Sequence, residues 1–111
     1  MGDKLMNIHE DCDLFEKLET KVINWHEDRC LIHGSSDLAQ FRKLEEEVAE
    51  LKQSLENGTS PVDDIGDIMV VLINIAERNN LSLFDCLTYA YLDIKDRKGK
   101  MNNGVFVKEQ E

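Results

Sequence analysis

Apolar residues recur at three- and four-residue steps through most of the chain, and these repeats predict helices. Phe15, Leu18, Val22 and Trp25 mark a first helix over about 11–29, which the HGSSD run breaks. Phe41, Leu44, Val48, Leu51 and Leu55 mark a second over about 37–56, with Ser35 or Ser36 as cap and Gly58 as stop. Ser60 is expected to cap a third helix, with Pro61 in its first position and Asp63 closing an S-x-x-D box; it ends near Asn79 or Asn80. Ser82 and Asp85 form a second such box and open a fourth helix through about 98, with Leu83, Leu87, Ala90, Tyr91 and Ile94 as its inner face. No segment shows clear strand alternation. Residues 1–10 and the tail 99–111, which ends KMNNGVFVKEQE, read as short flexible ends of a single domain spanning 1–111.

Four helices with short links imply an all-α, antiparallel four-helix bundle. The third helix carries IGDIMVVLINIA, apolar on nearly every side, and such a helix is buried all round. A chain of 111 residues has little material to surround it, so a second subunit is expected to supply the missing cover.

Composition narrows the classes. The formal net charge is −10, which argues against a nucleic-acid partner, where affinity comes from basic side chains on phosphates. The longest apolar run, IMVVLI, is too short to span a bilayer, and the N-terminal MGDKLMNIHEDCD has no apolar signal-peptide region. Cys12, Cys30 and Cys86 are widely spaced with no CxxC pair, which fits free thiols in a reducing cytoplasm.

The carboxylates are the chemical feature. Four glutamates fall within six positions, Glu45 to Glu50, and Asp63, Asp64 and Asp67 open the apolar third helix. At about 100° per residue, Gln40, Lys43, Glu47, Glu50 and Ser54 form a line flanking the apolar stripe of the second helix. Asp64 and Asp67 lie one turn apart on the third, with Asn74 continuing the Asp67 side. A short link makes the two helices antiparallel and brings Glu47 and Glu50 towards Asp64 and Asp67. Such acids repel one another unless they take up protons or bind a cation, and a partly open oxygen site suits Mg²⁺. Glutamates on a helix are also often a solvated face, and aspartates in a first turn often complement the helix dipole. Asp63, Glu45 and Glu46 fit that plain role. Asp67, in the second turn and leading directly into IMVV, does not.

Glu47-x-x-Glu50, thirteen intervening residues, then Asp64-x-x-Asp67 resembles the paired motif of the MazG-like, all-α nucleoside triphosphate pyrophosphohydrolases. WHEDRCLIHGSSDLAQFRKLEEEVAEL, DDIGDIMVVLINIA and YLDIKDRKGKMNNGVFVKE resemble the small single-domain phage and bacterial members, a likeness over about residues 22–109. One departure is that Asp64 stands where the family has Glu. The resemblance implies cleavage of a nucleoside triphosphate between the α and β phosphates, with Mg²⁺ or Mn²⁺, by a homodimer or homotetramer whose sites are lined by more than one subunit. It implies metal ligation by Glu47, Glu50 and Asp67, together with Asp64 through a shorter side chain. Glu47 or Glu50 would take the proton of an activated water. A purine deoxynucleotide such as dGTP is one candidate substrate; house-cleaning of damaged nucleotides is another.

The triphosphate also needs cations. KDRKGK holds Lys95, Arg97, Lys98 and Lys100, four of the thirteen basic residues in six positions, although basic residues at a helix end also offset the dipole. Lys43 either reaches phosphate or pairs with Glu47. Asn102 and Asn103 are candidates for phosphate or sugar, and Trp25 either stacks on a base or belongs to the core. His26, Cys30 and His33 have spacings that suit zinc, but a fourth ligand is not evident beside them. The alternative from another class is an inactive helical interaction module with an acidic ridge.

Overall fold

The structure, a computed structural model, describes residues 8–109, with the backbone alone for 8–13; most of the expected flexible N-terminus and the side chains of His9 and Cys12 lie outside the described residues. Four helices precede a hairpin: α1 (Ile8–Asp28), α2 (Asp37–Asn57), α3 (Val62–Arg78), α4 (Leu83–Ile94), β1 (Gly99–Asn102) and β2 (Val105–Lys108). α1 therefore begins before residue 11, and α4 stops at Ile94 rather than near Lys98.

Local chemistry sets the helix ends. The Ser36 hydroxyl accepts from the Ala39 amide at 3.1 Å and the Ser82 hydroxyl from the Asp85 amide at 3.0 Å, so both caps form as expected. Glu19 of α1 accepts from the Leu83 amide at 2.5 Å, satisfying another orphan donor of α4 from a distant element. The box expected at the start of α3 does not form. Pro61 occupies the cap position, and Ser60 accepts from Val62 at 3.4 Å rather than from Asp63. Proline has no N–H, so Val62 supplies the first free donor after Ser60.

Three helices end alike. Cys30, Gly58 and Asn80 have φ of 58°, 69° and 60°, and the amides of Leu31, Thr59 and Leu81 reach back to the carbonyls of His26, Ser54 and Ala76. Glycine and asparagine suit that backbone; Cys30 adopts it at a cost of roughly 1 kcal/mol.

The described residues are mostly helical, as expected, and the tail adds a small two-stranded sheet that the sequence reading left out. Asn103 and Gly104 both have positive φ, 52° and 81°, and make the two-residue turn whose twist matches antiparallel strands. Gly99 pairs with Lys108, Lys100 with Val107, Met101 with Phe106 and Asn102 with Val105. A side chain at Gly99 would collide with the Phe106 ring and the Val107 carbonyl, which is why glycine opens β1.

α2 and α3 form the most extensive helix pair, and α1 packs on α3. The junction of α1 with α3 is polar. Asn74 is 0% exposed; its Nδ2 donates to the Leu31 carbonyl at 3.0 Å and lies 3.2 Å from His26 Nδ1, and its Oδ1 accepts from Arg78 Nε at 3.1 Å. His26 Nε2 lies 3.0 Å from the Val70 carbonyl and must donate to it, so Nδ1 accepts from Asn74 and the imidazole is neutral. Arg78 also donates to the carbonyls of Leu31, Ile32 and Ser35. These bonds fix α1 and the 29–36 loop to α3.

The apolar core is small: Ile32, Val71, Ile73 and Ala76 are buried, against nineteen large apolar side chains that are at least 46% exposed among the described residues. The four-helix bundle is therefore not closed within one chain. α4 buries no residue; of its expected inner face Leu83 is half-buried, while Leu87, Ala90, Tyr91 and Ile94 are exposed. α3, expected to be covered all round, leaves Val62 and Ile65 exposed. The stripes of α1 and α2 are displaced too: Leu18 and Trp25 are exposed while the adjacent Glu19 and His26 are buried, and Phe41, Val48 and Leu55 are exposed while Glu47 is buried. Glu19, His26 and Asn74 have dedicated partners on other elements, which set the rotation of α1; Glu47 instead meets Lys43 of its own helix.

Asn74→Ala removes one partner each from His26, Leu31 and Arg78. It is expected to lower stability in urea denaturation by about 2–3 kcal/mol at fixed protein concentration, the scale for stranding buried polar groups. The exposed control Gln53→Ala on α2 should cost about 0.5 kcal/mol or less.

Candidate functional site

The seam between α2 and α3 is antiparallel because its far end is pinned. Asp37, at the start of α2, lies 3.6 Å from Arg78 Nε and accepts from Asn79 Nδ2 at 3.3 Å, both at the end of α3. Residues 58–61 turn the chain at the near end. A step from Glu47 to Glu50 along α2 then accompanies a step back from Asp67 to Asp64 along α3, and the four expected carboxylates share one stretch of the seam.

Their electrostatics record the convergence. The Glu50 carboxyl titrates above its ordinary range, first because only its protonated form can donate a hydrogen bond to Glu47, then through the Glu47 charge and burial, with Asp64 adding to the rise and Lys43 opposing it. Asp67 is also raised, first by desolvation and then by the charges of Asp63, Glu47 and Asp64, again against Lys43. Glu47 is 6% exposed. Its Oε1 lies 3.2 Å from Lys43 Nζ, while its Oε2 is buried with no hydrogen-bond partner. The Lys43 ammonium is correspondingly held above its usual value, first by that hydrogen bond.

A buried carboxylate oxygen without a donor needs either a proton or a cation. Oxygen ligands of this kind suit hard divalent ions. Among the described residues no three His, Cys, Asp or Glu side chains stand close enough to be a finished metal cluster. Glu50 is exposed and Asp64 and Asp67 are half-buried, so these three have room to rotate about the fixed Glu47. The zinc grouping does not form: both ring nitrogens of His26 are engaged by Val70 and Asn74, and Cys30 is an exposed free thiol.

A cleft of about 380 Å³ opens between α1 and α3, lined by Lys21, Val22, Trp25, Asp67 and Val70. Asp67 thus belongs both to the carboxylate group and to the cleft. Trp25 is 46% exposed and lies outside the core. It stands edge-on to His26 with centroids 5.3 Å apart, and the Arg29 guanidinium sits 4.2 Å over its ring. Sequence reasoning missed Lys21 and Arg29, although each lies four residues from Trp25 and so on its face of the helix.

The basic segment goes elsewhere. Lys95 pairs with Asp96 at 2.9 Å and Arg97 with Asp93 at 2.7 Å. Lys98 precedes the hairpin, Lys100 and Asn102 lie on β1, and Asn103 is in the turn. Among the described residues neither strand packs against a helix. One chain therefore gathers Lys43, Glu47, Glu50, Asp64 and Asp67 with Trp25 beside them, and does not bring Lys100 or Asn102 against them.

No family model and no solved structure matches the chain. It is similar to an uncharacterized 18.2 kDa protein from the rep–hol intergenic region of Haemophilus phage HP1 (strain HP1c1), with 35% identity over 68 residues that make up 60% of this chain and 42% of the relative. The chain thus spans less than half the length of that relative. No helix of the described residues is long and apolar enough to cross a membrane.

Glu47→Gln removes the largest cause of the raised Glu50 value, so carboxyl-resolved NMR titration should show the Glu50 midpoint falling towards the ordinary range and that of Asp67 falling less. The sign for stability follows. Raised carboxyls bind more protons in the folded than in the unfolded state, so metal-free protein loses stability as pH rises from the ordinary carboxylate range through the raised values. Glu47→Gln should make that fall shallower in urea midpoints measured between about pH 4 and 7.

Proposed function

We propose that the protein is a metal-dependent nucleotide diphosphatase, hydrolysing a nucleoside triphosphate, ribo- or deoxy-, to the monophosphate and pyrophosphate. Glu47 carries the reading: its Oε2 is buried without a partner, amid carboxylates that already perturb one another, one of which, Asp67, lines a cleft of about 380 Å³. The resemblance of the paired motif to MazG-like pyrophosphohydrolases supports the same reading.

The donor set fits Mg²⁺, with Mn²⁺ as substitute, held by Glu47, Glu50 and Asp67 and by the shorter Asp64. When bound, the ion supplies positive charge to the phosphate oxygens and lowers the pKa of water. The chain's own residues do the rest. Lys43 fixes Glu47 in the seam. Glu50 is exposed and its carboxyl titrates above its ordinary range, first through Glu47, and it is the group proposed to take the water's proton. Trp25 offers an aromatic face to the base, and Lys21 and Lys43 offer charge to phosphate. Lys95, Arg97, Lys98 and Asn102 are further phosphate or sugar ligands once their arm is placed. A homo-oligomer, dimer or tetramer, covers the exposed stripes of α2 and α4, and the free thiols of Cys30 and Cys86 suit a cytoplasmic setting, that of the host if the chain is phage-encoded. The second reading, an inactive interaction module, draws on those same exposed faces and on the lack of a finished metal cluster among the described residues.

Incubation with each ribo- and deoxynucleoside triphosphate and Mg²⁺, beginning with dGTP, should release pyrophosphate. Glu50→Gln and Asp67→Asn should each lower kcat/KM by about 100-fold or more, the scale for losing transition-state charge stabilisation. Trp25→Ala should raise KM roughly 5- to 100-fold with little change in kcat, the scale of base stacking on an aromatic side chain. Absence of turnover with every nucleotide overturns the diphosphatase and leaves the interaction module.

A further inference from the structure

We propose that Arg29 is a positioning residue for Trp25: it holds the indole still at the α1–α3 cleft, so that a nucleotide base meets the ring as a preformed stacking wall. The use of that wall for a base rests on the diphosphatase reading; the hold of Arg29 on Trp25 does not.

The first observation is that one side chain grips residue 25 twice. α1 ends at Asp28, so the Trp25 carbonyl is among the last four of the helix, which have no partner within it. The Arg29 amide turns to the His26 carbonyl at 3.1 Å, and Arg29 Nη1 donates to the Trp25 carbonyl at 3.0 Å. The same guanidinium lies 4.2 Å over the indole centroid. Among the described residues Arg29 pairs with no carboxylate, so its charge is committed to the ring and the carbonyl.

The second observation is a fixed edge. The imidazole of His26 meets the indole at 79° with centroids 5.3 Å apart. That imidazole cannot turn freely, because Val70 and Asn74 engage both of its nitrogens. Val70 also lines the cleft, so the bond from His26 to the Val70 carbonyl ties α1 to α3 at the cleft itself.

The third observation is which part of the ring is left. Trp25 is 46% exposed. Lys21, Val22, Trp25, Asp67 and Val70 line the cleft, and Arg29 is not one of them. Guanidinium and cleft thus meet different sides of the indole, and the cleft side is the one that adjoins Asp67. A half-exposed tryptophan without such contacts changes rotamer, and every binding event has to order it again. Ordering it beforehand removes that cost. The gain is in substrate affinity, equal for ground and transition states, and not in the chemical step.

Trp25 is the only tryptophan in the chain, so its fluorescence tests the hold without substrate. Time-resolved anisotropy of the wild-type protein should show whole-molecule tumbling alone. Arg29→Ala should add a fast component from local motion of the ring while the far-UV circular dichroism spectrum stays the same. Arg29→Gln keeps a donor for the carbonyl and loses the cation, so it should free the ring as well, and it carries the test should the alanine chain fail to fold. Arg29→Lys keeps a cation without the planar fork and should lie between. An indole as rigid in Arg29→Ala or Arg29→Gln as in the wild type overturns the proposal. Kinetics give the second test. Arg29→Ala should raise KM about 2- to 5-fold with kcat little changed, the scale of one exposed cation–π contact. In the Trp25→Ala background the same substitution should change KM no further. An equal rise in both backgrounds means that Arg29 meets the substrate itself and overturns the proposal. A wild-type protein without turnover overturns the diphosphatase instead, and the anisotropy still decides whether Arg29 holds the ring.

Discussion

Glu47 occupies the seam of the most extensive helix pair with one oxygen on Lys43 and the other facing no donor. A carboxylate removed from water in this way costs on the order of several kcal/mol unless positive charge or hydrogen bonds meet it. Apolar packing in the same position would be cheaper for a purely structural helix pair. The seam instead keeps the acid, surrounds it with Glu50, Asp64 and Asp67, and fixes it with a single lysine. A shared proton or, on the function proposed above, a cation meets that need.

Holding such a site requires a frame that does not yield to its repulsion. The frame is polar as well as apolar. Asn74 joins His26, Leu31 and Arg78 in one buried network, and Arg78 with Asn79 pins Asp37 at the far end of the α2–α3 pair. Asp67 and Asn74 lie seven residues, two turns, apart on α3. One end of that face carries the acid that lines the cleft, and the other is committed to the buried network. α1 divides its labour in a shorter space: His26 is locked in the core and the neighbouring Trp25 is left at the cleft.

The helix ends at Ser36, Gly58 and Ser82 were legible in the sequence because a cap is a local matter. The antiparallel pairing of α2 with α3, which sets Glu47, Glu50, Asp64 and Asp67 along one seam, was legible as well, since a short link fixes it; among the described residues the four acids do not close into a metal cluster. The rotation of α1 and α2 was not. Glu19 meets the Leu83 amide and His26 meets Asn74 across dozens of residues, and no local pattern announces either partner. The apolar stripes pointed to Leu18, Val48 and Leu87, which one chain leaves exposed. The hairpin escaped notice because four-residue strands show too few alternations, although Asn103-Gly104 carried its turn signal. Cys30 in a left-handed conformation had no signal, since the residue type disfavours it.

The central claim is that these four acids share one divalent ion site. A crystal grown with Mn²⁺ and measured for anomalous scattering tests it directly. The expected result is a peak bounded by Glu47, Glu50, Asp64 and Asp67, with Glu47 Oε2 among the ligands. Side chains turned apart with no peak between them, or Glu47 Oε2 bonded to a protein donor alone, would contradict it.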